Sequence, residues 1–187
     1  IALQQAIDYY DSVINNDISR VDNVKRNPEK TKRLLRSYAR SIGTQSKISS
    51  LSQDVNPSGD SEIASNPTIM DYIEALKKIF VLEDSRAWNP NLRSKTAIRT
   101  SDTRYFTDPS IAAAAMELGP DDLINDLNTM GFFFENLCIR DLRIYADALD
   151  GTVYHYRDKN GLECDAVIHL RGGAYGLAEI KLGGEKL

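Results

Sequence analysis

Cysteine and long hydrophobic runs are what this sequence most conspicuously does without. Only two cysteines occur in 187 residues, Cys138 and Cys164, both in apolar settings. That excludes a disulfide scaffold and a thiolate metal cage, and both read as buried free thiols. No apolar run approaches the roughly 18 residues of a membrane span, so no membrane partner is expected. The chain opens on Ile1 with no signal-peptide pattern, and it reads as a cytoplasmic-type piece of something longer. There is no G-x-x-x-x-G-K-[S/T] stretch, so these residues are not expected to hydrolyse ATP themselves. Positive charge is not in excess either: a net charge of −4 excludes a global pull toward nucleic acid. Histidine occurs only as His155 and His169, each alternating with apolar residues on strand-like stretches, and both read as structural.

What is present is an ordinary globular balance, 42% apolar and 27% charged, with charge spread unevenly. Arg20, Lys25, Arg26, Lys30, Lys32, Arg33, Arg36 and Arg40 face only Asp22 and Glu29. A solvated helix face and a phosphate-facing surface fit this run equally, and on the second reading Arg33 and Arg36 are the nucleic-acid contacts.

Periodicity predicts a helix over residues 1–19, and a second over 28–43 with Pro28 at its first position and Gly43 as its stop. One or two turns follow over 47–54, then a loop at 56–61. A third helix runs from Asn66 to Ile79 and on into an apolar strand, Phe80–Leu82. Helices followed by a short strand are the outline of a winged helix-turn-helix, and also of a small helical bundle. After the break at Trp88–Asn91 come basic Arg93, Lys95, Arg99 and Arg104, and a short strand at Tyr105–Thr107. Asp108 then caps a helix through Leu118, Gly119-Pro120 ends it, a short helical segment leads to Gly131, and a longer helix follows until Gly151 ends it. From residue 152 the period changes to alternation. Three strands, Val153–Arg157, Leu162–Leu170 and Ala174–Lys181, are joined by turns at 158–161 and 171–173.

The last hairpin carries the chemistry. In the middle strand Leu162, Cys164, Ala166, Ile168 and Leu170 share one face; Glu163, Asp165, Val167 and His169 share the other. A three-residue turn sets Leu170 against Ala174, hence Asp165 against Glu179 and Glu163 against Lys181. Two carboxylates so placed repel unless a cation or proton lies between them, and Mg²⁺ suits oxygen donors. A turn one residue longer would move Glu179 to the other face. Alternatively, Glu163 and Lys181 form a cross-strand ion pair on a solvated face. Tyr154, Tyr156 and Tyr175 read as strand aromatics or, less simply, as a stacking surface.

Taken together, Trp88-Asn89-Pro90-Asn91, Tyr105–Ala115, Phe134-Glu135, Glu163-Cys164-Asp165 and Glu179-Ile180-Lys181 resemble the C-terminal region of prokaryotic AAA+ ATPases, which carries a domain of unknown function with a PD-(D/E)XK nuclease-like core. Cys164 stands where that pattern usually has Val, and residues 53–66 look like an insertion. The resemblance implies an α/β chain: a winged-helix-like helical domain over 1–90, then a restriction-endonuclease-like core with a mixed sheet over 91–187. That core stops six residues after Lys181. It further implies Asp165 and Glu179 as ligands of Mg²⁺ or Mn²⁺, Lys181 orienting the attacking water and Glu135 assisting from a helix. DNA is the expected partner, ATP belongs to an ATPase domain upstream, and oligomerisation is left open. The expected chemistry is metal-assisted phosphodiester hydrolysis; the alternative is a non-catalytic interaction or regulatory module of the same ATPase.

Overall fold

Asn27 opens the first well-defined packing unit. Its side-chain oxygen accepts from the backbone N–H groups of Glu29 and Lys30 and caps helix α2 (Pro28–Ala39), with proline at the position that needs no donor. The computed structural model describes residues 2–56, 63–91, 101–158 and 160–183. Before α2 lies α1 (Ala2–Ser12), which widens into a π-helical turn at Val13–Asp17 and closes with Ile18–Arg20. After it come α3 (Ile48–Val55) and α4 (Asn66–Lys78). Helix α3 packs on both α2 and α4, burying Leu34, Leu35, Leu51, Ile69 and Leu76 in one core.

The strand expected at Phe80–Leu82 starts one residue later. Phe80 adopts a left-handed conformation, with φ of 57°, and Val81 N–H bonds back to the Leu76 carbonyl at 2.9 Å. This is a helix C-terminal reversal, which spends Phe80 on turning the chain and leaves its ring exposed. Residues 81–85 then pair antiparallel with 103–107, through Thr107 N–H to Val81 O, Glu83 N–H to Tyr105 O and the reciprocal Ser85–Thr103 bonds, at 2.9–3.1 Å. Arg104 also bonds across to residues 43 and 44, so Ile42 adds a parallel bridge on the other edge. The domain boundary expected at residue 90 falls within the connection between the two halves of this ribbon. Asp84 is buried at its centre, accepting from the Tyr38 hydroxyl and from Arg104 at 2.6 Å, with Lys77 at 3.2 Å. Arg104 is therefore a structural cation rather than part of a basic surface; Arg93, Lys95 and Arg99 lie outside the described residues, as do 57–61 of the expected loop.

Asp108 caps α5 (Pro109–Ala115) by accepting from Ser110 N–H. The helix ends at Ala115, three residues short of expectation, where Glu117 turns left-handed. Its alanine face packs on α1 and α2. Helix α6 (Pro120–Asn125) and the long α7 (Leu127–Asp147) follow. The chain then forms β1 (Gly151–Arg157), β2 (Glu163–Leu170) and β3 (Tyr175–Ala178), in the order β1-β2-β3. Both pairings are antiparallel, which corrects the expected mixed sheet: each strand follows the last through a hairpin, and hairpins give only antiparallel neighbours. A single parallel bridge, Ala87 with His155, sets the end of segment 81–88 against β1. One face of the sheet packs on α7 through Val153, Ala166 and Ile168; the other carries Trp88 among Tyr156, His169 and Tyr175. Both cysteines are free and half-buried. No described helix is long and apolar enough to cross a membrane.

Helix α7 is fastened to the ribbon by Asn136, which is fully buried. Its carboxamide donates to Phe106 O at 2.8 Å and accepts from Phe106 N–H at 2.9 Å, completing a strand edge with a side chain. Asn136→Ala orphans both backbone groups. The expected loss is about 3 kcal/mol in urea unfolding; a loss below about 1 kcal/mol would show that this bond pair is dispensable.

Candidate functional site

The strand that carries Asp165 is irregular at that residue. Tyr154 pairs with Val167 and Tyr156 with Cys164, so Asp165 and Ala166 together stand opposite the single residue His155. This is a β-bulge, and bulges re-aim a side chain. Simple alternation would put Asp165 with Val167 and His169, on the face away from α7. Instead it joins His155, Glu135 and Tyr105 in lining a polar cleft of about 150 Å³ between α7, the sheet and the ribbon. The bulge thus corrects the expected facing of Asp165.

Glu135 enters from α7, one residue before the Asn136 anchor. Tyr105 donates its hydroxyl to Glu135 Oε1 at 2.5 Å. Gly43 makes room for the carboxylate: a Cβ there would lie 3.0 Å from Glu135 Oε1 and from the Phe132 ring, and its φ of 71° is one that favours glycine. Burial pushes the Glu135 carboxyl up to about 7; the Tyr105 hydrogen bond opposes this, and the charges of Asp165, Glu179 and Glu163 add to it. Burial, followed by the Glu135 charge, likewise lifts Tyr105 far above the ordinary phenol range.

The register expected for the last hairpin is present. Leu170 N–H bonds to Ala174 O, and Ala166 faces Ala178, which puts Glu179 next in line with Asp165. The ladder stops at Ala178, however. Ile180 N–H turns to Asp165 Oδ2 at 2.7 Å, so one oxygen of Asp165 holds the end of the hairpin. Glu179 and Lys181 follow, both more than half exposed, with Lys181 Nζ 3.9 Å from Glu179 Oε1. Glu163 forms an exposed pair with Arg157 at 3.3 Å, rather than with Lys181. The structure therefore brings Glu135 and Asp165 together in the cleft, sets Glu179 near enough for its charge to act on Glu135, and leaves Lys181 at the exterior beside Glu179.

His155 was not a sequence candidate. It is 3% exposed and lines the cleft. Its Nδ1 is 2.9 Å from Ser85 O, and its Nε2 is buried without a partner. Its alternation with apolar residues gave no sign of this, because the ribbon strand that accepts from Nδ1 is distant in sequence. Of the basic run, Arg26 is buried between Asp22 and Asp71, and Lys30 is buried. Arg33 donates to Val55 O at 3.4 Å and is half-buried, while Arg36 is exposed.

Carboxylate oxygens are the donors that Mg²⁺ takes. Among the described residues, no group of three or more His, Cys, Asp or Glu closes around a metal position. Mg²⁺ sites commonly use one or two carboxylates, with waters and substrate oxygens completing the shell. Glu135 and Asp165, half-buried acids that line one cleft, fit that pattern in donor type and in charge.

A family model described as Domain of unknown function (DUF8612) matches residues 2–122, and one described as Domain of unknown function (DUF4143) matches residues 130–186. Glu135 and Asp165 lie in the second match; Tyr105 and Gly43 lie in the first. No curated protein and no solved structure matches the chain.

Because the folded-state value for Glu135 is raised above its ordinary 4.5, folding favours the protonated form. Its contribution is complete below 4.5 and is lost as pH climbs through 7, by roughly 3 kcal/mol. Denaturant unfolding at pH 5 and pH 8 should show this loss in the wild type and its disappearance in Glu135→Gln. Equal pH dependence in the two proteins would contradict the assignment.

Proposed function

The chain belongs to the family described as Domain of unknown function (DUF8612), and we propose that the cleft between its ribbon and its C-terminal hairpins is a divalent-cation site for phosphodiester hydrolysis. The observation that carries this reading is the bulge at Asp165–Ala166, which turns a carboxylate toward a half-buried glutamate already burdened by like charge. Glu135 and Asp165 would hold Mg²⁺ or Mn²⁺. The cation, when bound, supplies an activated water and offsets charge on the phosphorane-like transition state. Tyr105 fixes the Glu135 carboxylate in place, and Asn136 fixes the helix that presents it. Glu179 adds negative charge that acts on Glu135, and Lys181 beside it would meet the substrate phosphate or the attacking water.

DNA is the proposed substrate. The order α2, the Ile42 edge, α3, α4, then the 81–85/103–107 ribbon supports a winged-helix reading of the first half, and the sheet with its flanking helix supports a nuclease-like reading of the second. Arg36, on the exposed side of α2, and Arg33 beside it are the proposed phosphate contacts. An ATPase domain upstream is proposed on the C-terminal match, since DUF4143 regions are often found at the C-terminal ends of AAA ATPases.

One observation favours a second reading, a non-catalytic interaction module: Asp165 already spends an oxygen on Ile180 N–H, and Lys181 is paired outside the cleft. Mg²⁺ or Mn²⁺ titration followed by thermal melting separates the two, with cleavage of a labelled oligonucleotide read in the same samples. The hydrolase reading predicts a melting temperature that climbs with cation and metal-dependent cleavage, both lost in Asp165→Asn. Stabilisation by an oligonucleotide without cation dependence or cleavage would establish the interaction module instead.

A further inference from the structure

The ring of His155 has one defined tautomer. Its Nδ1 lies 2.9 Å from the Ser85 carbonyl oxygen, which can only accept, so Nδ1 carries the proton of the neutral ring. Nε2 is then a bare lone pair, buried and unpartnered, on a residue that lines the cleft. The backbone fixes it there: His155 N–H bonds to Arg86 O at 3.0 Å, and His155 O accepts from Trp88 N–H at 2.7 Å. Burial holds the imidazole below its ordinary value, which favours the neutral ring.

The same cleft is lined by Glu135, Asp165 and Glu163. The Tyr105 hydroxyl is engaged by Glu135 and the Arg157 guanidinium by Glu163, while Gln45, Thr103 and Tyr156 also line the cleft. Its three carboxylates call for a ligand that is positive and rich in hydrogen-bond donors. The water shell of a divalent cation is such a ligand, because each bound water turns its oxygen to the metal and only its hydrogens outward. The cleft has room for roughly five waters at about 30 Å³ apiece, and Mg²⁺ sheds its waters reluctantly.

We propose that the cleft takes the cation with much of its water shell intact and that His155 Nε2 accepts a hydrogen bond from one of those waters. This rests on the cation-site reading above and adds a positioning residue and a mode of binding. It also accounts for a cleft that lacks three groups closing on a metal position among the described residues. His155 acts here through the bound water.

The test uses the whole chain, Mg²⁺, and cobalt(III) hexaammine, whose fixed ligands offer only N–H donors. Calorimetry measures binding, and long-range proton–nitrogen spectra of the imidazole report on His155. The expected result is a bare Nε2 in the free protein, displaced when either cation is added, with the two cations competing. His155→Phe should bind Mg²⁺ about fivefold to tenfold more weakly, and His155→Gln, which keeps an acceptor, should recover most of that loss. Mg²⁺ binding with an unmoved Nε2 resonance overturns the role of His155 while leaving the cation site standing. Mg²⁺ binding that cobalt hexaammine cannot displace overturns the water-shell mode. Absence of any cation binding by the wild type overturns both this inference and the cation site.

Discussion

Two adjacent residues of α7 hold the molecule together at its most consequential point. Asn136 satisfies both backbone groups of Phe106, and Glu135 takes the hydroxyl of Tyr105. Tyr105 and Phe106 belong to the ribbon built on the first helices, whereas α7 belongs with the sheet. The same four residues therefore join the part matched by one family model to the part matched by the other. Segment 81–88 reinforces the join: its first half pairs with 103–107, and its second half reaches His155 on β1. The cleft exists because these two attachments meet there. A helix that slid by one turn would lose the Asn136 bonds and withdraw Glu135 together.

A buried carboxyl carries a penalty for folding at neutral pH, and here neighbouring acids enlarge it. Glu135 is nonetheless tied down by Tyr105 and accommodated by Gly43, a position where a side chain would collide with it. Its surroundings thus fix the carboxylate instead of letting it escape to solvent. Asp84 shows the contrasting case: also buried, it is surrounded by Arg104, Lys77 and Tyr38, so its charge is matched and its role is structural. Of these two acids, Glu135 is the one whose neighbouring charges are of its own sign, the feature on which the proposed cation site rests.

Much of the helical pattern could be read from sequence, because its signals are local. Asn27-Pro28, Ser65 with Asn66-Pro67 and Asp108-Pro109 open helices as their chemistry requires, and the turn at 171–173 sets the register of the last hairpin. What could not be read came from pairing between distant segments. Residues 81–85 and 103–107 are too short to announce a ribbon, and Arg104 read only as part of a basic stretch because its acid, Asp84, lies on the other strand. The bulge has no local signature either. Leu162–Leu170 alternates without a break, and the extra residue shows only when β2 is laid beside β1, so Asp165 was given its neighbours in the site but the wrong face of the sheet. His155 was overlooked for the same reason, since its locked tautomer depends on Ser85, 70 positions away.

The bulge brings the charge of Asp165 to bear on a half-buried Glu135. Carbon-13 titration of the Glu135 side-chain carboxyl, in the wild type and in Asp165→Asn, measures this directly. A midpoint near 7 is expected in the wild type, falling in the variant yet staying above 4.5 because burial, the larger cause, remains. A wild-type midpoint in the ordinary carboxylate range, or one that Asp165→Asn leaves unmoved, would contradict it.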